Sequence, residues 1–499
     1  MGSDLVSEES LRHQKNLASL CTYTAALPLD GIKSMSIDGE IVPLHERYKR
    51  CDVSPVEVAR AQLDAIGRLN PGVNAFVLVD DSVVLKMARA SEARYRKGEA
   101  LGPLDGVPIT IKDTLNVAGW PTRRGSRTTS DVAAPRDAIS IARLRAGGAV
   151  FLGKTTTPEF AWKGLTESPL AGVTLNPLDP LHHAGGSSGG AAAATALGLG
   201  VVGIGSDAAG SVRIPAAFCG VVGYKPTFGT IPLDPYPAAF WQLPHIGPIT
   251  RNVADAALAA SAMSGAVGMD WTSLARTSLD FHLPERQWPS KLRIGVPAGL
   301  AGHLDPIVNK AWEDALAVIA KDSRITTVDV PINESRDIVG ALYRLGCSYA
   351  VSQVPEEKRT GLHAALLEFI APVQSLTAAD LLRLQRRREE IAVRLSAILI
   401  DDIDVLLTPT MPCLPLRTDD PTAAAVDWFE WCPFTPLFNL SHGPAVSVPW
   451  HTDAGFFPIG LQVGAAPGRD RVAIAAATMI ETLDDCRNPA RSRASVHVG

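Results

Sequence analysis

The chain has 499 residues, of which 46% are hydrophobic and 20% charged, and its formal net charge is −5. This length suffices to bury a sizeable core, and the small negative charge argues against a basic face that would bind nucleic acid or an anionic membrane surface. Seven cysteines are scattered with no Cys-x-x-Cys pair, so we expect free thiols in a reducing compartment and a cytoplasmic protein.

The N-terminal segment, residues 1–50, is interpreted as a variable extension. A short basic stretch precedes the apolar run 17–29, as in a secretory signal, but polar residues interrupt that run. We therefore predict an amphipathic helix or an extension packed on the body. Residues 55–69 then show the apolar spacing of a helix, with Ser54 as the predicted N-cap.

From about residue 104 to 260, short runs rich in valine and isoleucine alternate with alanine-rich helical segments such as 137–146. This alternation predicts an α/β fold, a large mixed and twisted β-sheet covered by helices on both faces. Residues 107–111 predict a short buried strand that ends just before Lys112. Residues 191–204 are too short and too rich in glycine for a membrane span, and they predict a buried helix followed by a strand.

Two clusters carry the chemistry, Gly-Gly-Ser-Ser-Gly-Gly at 185–190 and Asp-Ala-Ala-Gly-Ser-Val-Arg at 207–213. A serine nucleophile needs a base and a site for the oxyanion. Lysine is a base only when neutral, and burial of Lys112 would lower its pKa. The small side chains at 208–210 let a substrate carbonyl approach the backbone. These features predict acyl transfer without a metal or cofactor, and the first cluster lacks the Gly-Lys-Ser/Thr ending of a phosphate loop.

Several polar residues near these clusters have structural explanations. Asp207 and Arg213 are expected to form an ion pair or to hold the loop, because buried charges are usually paired. Thr156 followed by Glu159 matches a capping box, so a helix start would explain the glutamate. The adjacent residues His182 and His183 have no companions at metal-ligand spacing, and we predict no metal site there.

The second half of the chain is predicted to shape the site rather than to react. Residues 265–420 are interpreted as a variable substrate-entrance region that includes a long helix over 378–400. Its basic cluster 386–388 precedes two glutamates and predicts a solvated helix face. An aromatic cluster follows, which is either core or the wall of an apolar acyl or aryl pocket, and a proline-rich loop offers a rim. The cluster comprises Trp428, Phe429, Trp431, Phe434 and Phe438, and the rim Tyr236, Phe240 and Trp241.

The sequence resembles the amidase signature family. Ser187 and Ser211 have the spacing of that family, and matching segments run from 102 to 251, with weaker matches towards the C-terminus. The resemblance covers most of the chain, and it implies an amidase-signature domain over residues 51–499 with its core motifs in 102–251. The matching segments include 104–108, 153–155, 176–177, 218–220 and 225–227.

The resemblance also implies roles for individual residues. Ser211 is similar to the acylated nucleophile, Ser187 to the bridging serine that follows a cis peptide, and Lys112 to the terminal base. The N–H groups that would receive the oxyanion are those of Ala208, Ala209, Gly210 and Ser211, although many members have glycine where Ala209 stands. The resemblance implies Ala161 and Trp162 as substrate-binding residues. We add Gly185 and Gly186 of the glycine cluster and Trp428 and Trp431 of the aromatic cluster as further candidates, and we expect Ser188, Asp207 and Arg213 to support the site.

Three functions are compatible with these residues. The first is a stand-alone amidase that hydrolyses a linear non-peptide carboxamide, of aliphatic, aryl-anilide or carbamate type, through a Ser211 acyl-enzyme. It would release a carboxylate and ammonia or an amine. Its partner would be a small-molecule amide, and a homodimer is compatible with this function. The second is the glutaminase component of the multi-subunit glutamyl-tRNA amidotransferase, which generally has glutamine where Ile214 stands. The third is an inactive ligand-binding scaffold.

Overall fold

The computed structural model describes residues 40–234, 240, 242–273, 279, 281, 292–300, 303–451 and 457–488. The predicted helix or extension at 17–29 and the predicted rim residues Tyr236 and Trp241 lie outside the described residues.

The strands of the described residues form one large sheet and one small ribbon. Their bounds are β1 Phe76–Val79, β2 Pro108–Lys112, β3 Val150–Thr155, β4 Glu167–Ser168, β5 Gly172–Val173, β6 Val202–Asp207, β7 Val222–Lys225, β8 His245–Thr250, β9 Arg293–Pro297, β10 Arg324–Val328, β11 Val405–Pro409, β12 Ala445–Trp450 and β13 Ile459–Gly464. Eleven strands make a mixed sheet in the order β1-β3-β2-β6-β8-β7-β12-β13-β11-β9-β10, and β4 pairs with β5. Strand β2 runs parallel to both β3 and β6, near one end of the sheet.

Helices connect these strands. The α-helices are α1 Ile41–Lys49, α2 Pro55–Val73, α3 Asp81–Lys97, α4 Ile139–Ala146, α5 Gly189–Ala196, α6 Arg213–Cys219, α7 Val253–Met263, α8 Pro306–Ile319, α9 Ile332–Ser352, α10 Ala364–Ile370, α11 Ala378–Ala397, α12 Pro421–Ala424, α13 Pro436–Leu440 and α14 Asp470–Arg487. Single turns of 3-10 helix lie at Glu159–Ala161, Ala371–Val373 and Trp428–Trp431, a longer one at Glu356–Gly361, and a π-helical turn, Ile398–Asp402, extends α11.

Side chains from successive positions of the sheet enter two different cores. Phe151 on β3 packs in a cluster with Ile109 and Ile111, whereas Val150 and Leu152 belong to a second cluster with residues of α2, α3 and α5. Because successive side chains of a strand point to opposite faces, the two clusters lie on opposite sides of the sheet. The predicted α/β architecture with helices on both faces is therefore confirmed.

Local sequence signals account for the elements next to the site. Helix α2 begins after Ser54, which is the N-cap as predicted, and its side chain accepts from the Glu57 N–H in a complete capping box. Strand β2 is buried along its whole length and lies between β3 and β6 in the sheet. Helix α5 followed by β6 confirms the prediction for 191–204. Of the predicted N-terminal extension, α1 is described, and its Tyr48 hydroxyl donates to the Gly106 carbonyl at 3.1 Å.

The basic cluster on α11 is only partly a solvated face, which corrects the prediction for 386–388. Arg386 and Arg387 are exposed, but Arg388 is buried and donates to the Leu440 carbonyl at 3.0 Å. Within the described ranges no single helix is long and apolar enough to cross a bilayer. One pair passes by length and composition together, Ala364–Val373 with Ala378–Asp402, and it is bent by 88°.

Candidate active site

Lys112 stands at the end of β2 with a fully buried side chain. Its ammonium nitrogen Nζ lies 2.7 Å from Ser187 Oγ, 3.0 Å from Ser188 Oγ and 3.1 Å from Ser206 Oγ. Ser206 comes from β6, the parallel neighbour of β2, so the ends of both strands meet at one edge of the sheet. Three hydroxyls therefore surround one amine in a dry environment.

This environment changes the protonation of the lysine. Burial lowers the pKa of Lys112 from its usual 10.5 to about 7, against the opposing charge of Asp207. Near neutral pH a large fraction of the amine is thus unprotonated and has a lone pair to accept a proton. A neutral lysine in contact with a serine hydroxyl has the properties of a general base.

Close backbone packing brings the two serine loops together. Among the described residues the only cis peptide joins Gly186 and Ser187. A side chain at Gly186 would meet the Leu165 main chain within 2.6 Å, so only glycine fits there. Ser188, which follows Ser187 in the chain, donates its N–H to the Ser211 carbonyl at 3.1 Å. The predicted bridging serine and the predicted nucleophile therefore lie on adjoining loops, both buried.

Asp207 and Arg213 form the ion pair expected from the sequence. Arg213 Nε lies 2.9 Å from Asp207 Oδ2 and Nη2 lies 2.9 Å from Oδ1, with both side chains fully buried. Burial alone would raise the pKa of Asp207, but the charge and hydrogen bonds of Arg213 outweigh it and hold the pKa well below its usual range. Asp207 precedes residues 208–212, which we call the nucleophile loop after the predicted role of Ser211, and Arg213 follows them. The pair therefore closes this loop at its base.

We expect Arg213→Met to lower the free energy of unfolding by about 3–5 kcal/mol, because it leaves the Asp207 carboxylate buried without its cation. The matched control is Arg293→Met, which removes the partner of Asp404 from a pair whose side chains are 38% and 19% exposed. That change should cost at most about 1 kcal/mol. Urea unfolding at neutral pH measures both, and equal losses would contradict the role given to the buried pair.

The backbone of the loop offers three free donors rather than the four predicted. The Gly210 N–H donates to Asp207 Oδ1 at 2.7 Å, which corrects its assignment as an oxyanion donor. The described residues provide no acceptor for the N–H groups of Ala208, Ala209 and Ser211. Gly210 has a φ of 122°, and a side chain there would collide with Thr435 Oγ1. Glycine is required at position 210 for both reasons, whereas Ala209 is accommodated.

The predicted substrate-binding aromatics lie in one apolar cluster with this loop. Trp162, Trp428 and Trp431 share that cluster with Ala208 and Ala209, and all are largely buried. They also support one another, since Trp428 Nε1 donates to the Trp162 carbonyl at 2.8 Å. The aromatic segment is therefore core in its packing, and it belongs to the same apolar cluster as Ala208 and Ala209.

The turn before Trp162 is held from a distance. Ala161 has a φ of 61°, a left-handed conformation for a non-glycine residue, and its carbonyl accepts from the Tyr343 hydroxyl.

The Trp431 indole N–H is buried and has no hydrogen-bond partner in the described part of the chain. Gly185 has a φ of 76° and packs against Pro215, one residue before the tight approach of Gly186.

Glu159 is not a helix cap, which corrects the prediction from its spacing to Thr156. The turn Glu159–Ala161 has no side-chain cap. Instead Glu159 Oε1 accepts from the Ser126 hydroxyl at 2.6 Å and Oε2 accepts from the His363 N–H at 2.8 Å. The glutamate thus joins the turn before Trp162 to the start of α10.

The structure adds residues that the sequence did not single out. Asn439, on α13, and Thr435, the residue before α13, both contact the nucleophile loop. Gln462 Oε1 accepts from Arg213 Nη1 at 2.6 Å. Ser206 was also missed, although its place at the end of a strand parallel to β2 could have indicated contact with Lys112. Thr435 and Asn439 carry no local signal, because more than two hundred residues separate each from its partner, and Gln462 lies in the segment 460–464, which matches the family weakly.

The fold and the site define an α/β enzyme with a buried lysine beside paired serines, and the chain belongs to the amidase signature family. The family model described as Amidase matches residues 57–473. This membership confirms the predicted fold and identifies a hydrolase of carbon–nitrogen bonds in amides other than peptides.

The relatives include stand-alone and complex-forming enzymes. An acylamidase of Rhodococcus erythropolis is 36% identical over 446 residues, covering 87% of this chain and 92% of that protein. The glutamyl-tRNA(Gln) amidotransferase of Carboxydothermus hydrogenoformans has an A-type chain that is 33% identical over 449 residues, covering 85% and 92%. The structure of a bacterial aryl acylamidase of the amidase signature enzymes matches with a TM-score of 0.80 at 29% identity, covering 89% of this chain and 96% of that one.

Proposed function

We propose that the protein is a stand-alone amidase that hydrolyses small linear carboxamides through an acyl-enzyme on Ser211. The observation that carries this proposal is the contact of 2.7 Å between Lys112 Nζ and Ser187 Oγ, together with a lysine pKa of about 7. A base in this state can draw a proton through Ser187 from the hydroxyl of the adjoining loop.

The reaction has two halves. In the first, Ser211 Oγ attacks the amide carbon while its proton passes through Ser187 to Lys112. The free N–H groups of the nucleophile loop stabilise the oxyanion, and collapse breaks the carbon–nitrogen bond as the proton returns to the leaving amine. In the second, water attacks the acyl carbon and gives a proton to the same base. The bond between the acyl carbon and Ser211 Oγ breaks, the proton returns to Ser211 Oγ, and the carboxylate leaves.

The surroundings of the loop favour an apolar acyl or aryl group. Ala208 and Ala209 pack in one apolar cluster with Trp162, Phe218 and Trp431. The acylamidase and the aryl acylamidase among the similar proteins support the same substrate class. Anilides, esters and carbamates share the acyl-enzyme intermediate and are included in the proposal.

A second candidate is the glutaminase component of glutamyl-tRNA amidotransferase, which the similarity to the Carboxydothermus protein favours. The free amino acid glutamine carries an ammonium and a carboxylate, and its recognition would need charged partners. Ile214, where that component generally has glutamine, is fully buried in α6 and offers no side-chain hydrogen bond. We therefore rank this function second.

The test is amine or ammonia release from butyramide, para-nitroacetanilide, phenyl carbamate and L-glutamine, with the native enzyme and the Ser211→Ala variant. We expect cleavage of at least one apolar substrate, lost in the variant. Activity on L-glutamine alone, or activity only after the other amidotransferase components are added, would favour the amidotransferase. Binding of the panel without turnover would favour a scaffold.

A further inference from the structure

We propose that Thr435 and Asn439 are positioning residues that fix the oxyanion-binding N–H groups of Ala208 and Ala209. Asn439 holds the carbonyl of the peptide plane that carries the Ala208 N–H, and Thr435 holds the plane that follows the Ala209 N–H. This inference rests on the proposed Ser211 mechanism. It assigns a role in the reaction to α13, a helix far from the catalytic loops in sequence.

Asn439 holds the first peptide plane of the loop. Its side-chain Nδ2 donates to the Asp207 carbonyl at 3.0 Å and to Asp207 Oδ1 at 2.9 Å. Its Oδ1 in turn accepts from Arg213 Nη2 at 2.6 Å, so the amide cannot rotate without losing a bond to a buried charge. Asn439 is fully buried, which protects these bonds from water.

Thr435 holds the third peptide plane. Its hydroxyl Oγ1 donates to the Ala209 carbonyl at 2.6 Å. Its own carbonyl accepts from Arg213 Nη1 at 2.9 Å, so the ion pair at the base of the loop also fixes Thr435. The hydroxyl lies against Gly210, where no side chain fits, and this close packing limits movement of the threonine.

These contacts fix the directions of the loop's N–H groups, because a trans peptide is planar and its N–H points opposite to its carbonyl. With the Asp207 carbonyl held by Asn439, the Ala208 N–H points away from α13. With the Ala209 carbonyl held by Thr435, the Gly210 N–H is directed to Asp207 Oδ1, as observed. The plane between them carries the Ala209 N–H, and its two held neighbours restrict it.

The fourth plane is held within the loop itself, since the Gly210 carbonyl accepts from the Ile214 N–H at 2.7 Å. The Ser211 N–H therefore needs no help from α13. Asn439 anchors the plane that carries the Ala208 donor, and Thr435 anchors the plane that follows the Ala209 donor, so the Ala209 N–H lies between two held planes. Donors fixed before the reaction need no reorganisation when the oxyanion forms.

The test compares Thr435→Val, which removes the hydroxyl, with Thr435→Ser, which retains it. The readouts are para-nitrophenyl butyrate hydrolysis, inhibition by phenylboronic acid, which forms a tetrahedral adduct with an active serine, and the midpoint of thermal unfolding. We expect Thr435→Val to lower kcat and phenylboronic acid affinity by about 10- to 100-fold. KM should stay within about twofold, and Thr435→Ser should stay within about threefold of the native enzyme on every readout.

A Thr435→Val variant that keeps native kcat and inhibitor affinity would overturn the inference, and so would a Thr435→Ser variant that loses as much as Thr435→Val. A Thr435→Val variant with lower kcat but unchanged inhibitor affinity would assign Thr435 a purely structural role. The Ser211→Ala variant distinguishes a failure of this inference from a failure of the proposed function. Hydrolysis that survives in Ser211→Ala would contradict the proposed function itself.

Discussion

Replacing Ser211 with alanine is expected to lower kcat by about 10⁵-fold or more, to the level of background hydrolysis. The Ser211 hydroxyl is the proposed nucleophile, and the adjoining serine and lysine can only move its proton. The backbone donors remain in the variant and still bind the carbonyl, so KM should change little. Steady-state hydrolysis of the best amide of the panel, with folding checked by circular dichroism, measures the effect.

The matched control is Ser91→Ala. Ser91 is also fully buried, and its hydroxyl has no hydrogen-bond partner in the described part of the chain, but it lies on α3 against Gly106 rather than beside Lys112. Its loss should leave kcat within about twofold. Comparable losses in both variants would point to general damage from removing a buried hydroxyl.

Lys112→Met is expected to lower kcat/KM by about 10²- to 10⁴-fold, the usual contribution of a general base. The native enzyme should also show a rising limb of kcat/KM with pH, with a midpoint near the lysine pKa of about 7. The sign follows from protonation. Below that value Lys112 is charged and cannot accept a proton, and above it the base is free.

Lys112→Arg gives the sharper comparison, because a guanidinium keeps its positive charge across the pH range in which the native limb rises. This variant should be inactive from about pH 5 to 9. Stopped assays over that range in a constant-ionic-strength buffer measure both enzymes. A native profile that is flat around neutral pH, or an active Lys112→Arg variant, would remove the lysine from the proton path.

The sequence predicted the features that depend on neighbouring residues. The cap at Ser54 uses a partner three positions away, and the buried strand before Lys112 follows from an unbroken apolar run. The helix and strand after the glycine cluster follow from alanine and valine content in the same way. The three side chains proposed to react, Lys112, Ser187 and Ser211, were predicted through family motifs that are themselves local.

The errors arose where the partner is distant in the chain. Glu159 matched a local capping pattern, but its acceptor oxygens pair with Ser126 and with His363, which is 204 residues away. Arg388 lies in a charged run, but its side chain is buried and donates a hydrogen bond to the Leu440 carbonyl. In both cases a tertiary hydrogen bond to a buried group outweighs the local preference.

The hydrogen bonds that fix the nucleophile loop could not be predicted from its sequence motif either. Its motif indicated small residues and free backbone donors, but the motif does not show that the Asp207 carboxylate takes the Gly210 N–H. Nor could it show that Thr435, 226 residues away, holds the Ala209 carbonyl. Those directions are set by packing between distant segments, which no local pattern contains.

The decisive measurement is the mass of the peptide that contains Ser211 after acid quenching of the enzyme during steady-state hydrolysis of para-nitrophenyl butyrate. A covalent intermediate on this serine predicts a mass increase equal to one butyryl group, located on Ser211 by fragmentation and absent from the Ser211→Ala variant. Full turnover with an unmodified Ser211 peptide, or with the butyryl group on another residue, would contradict the assignment of Ser211 as the nucleophile.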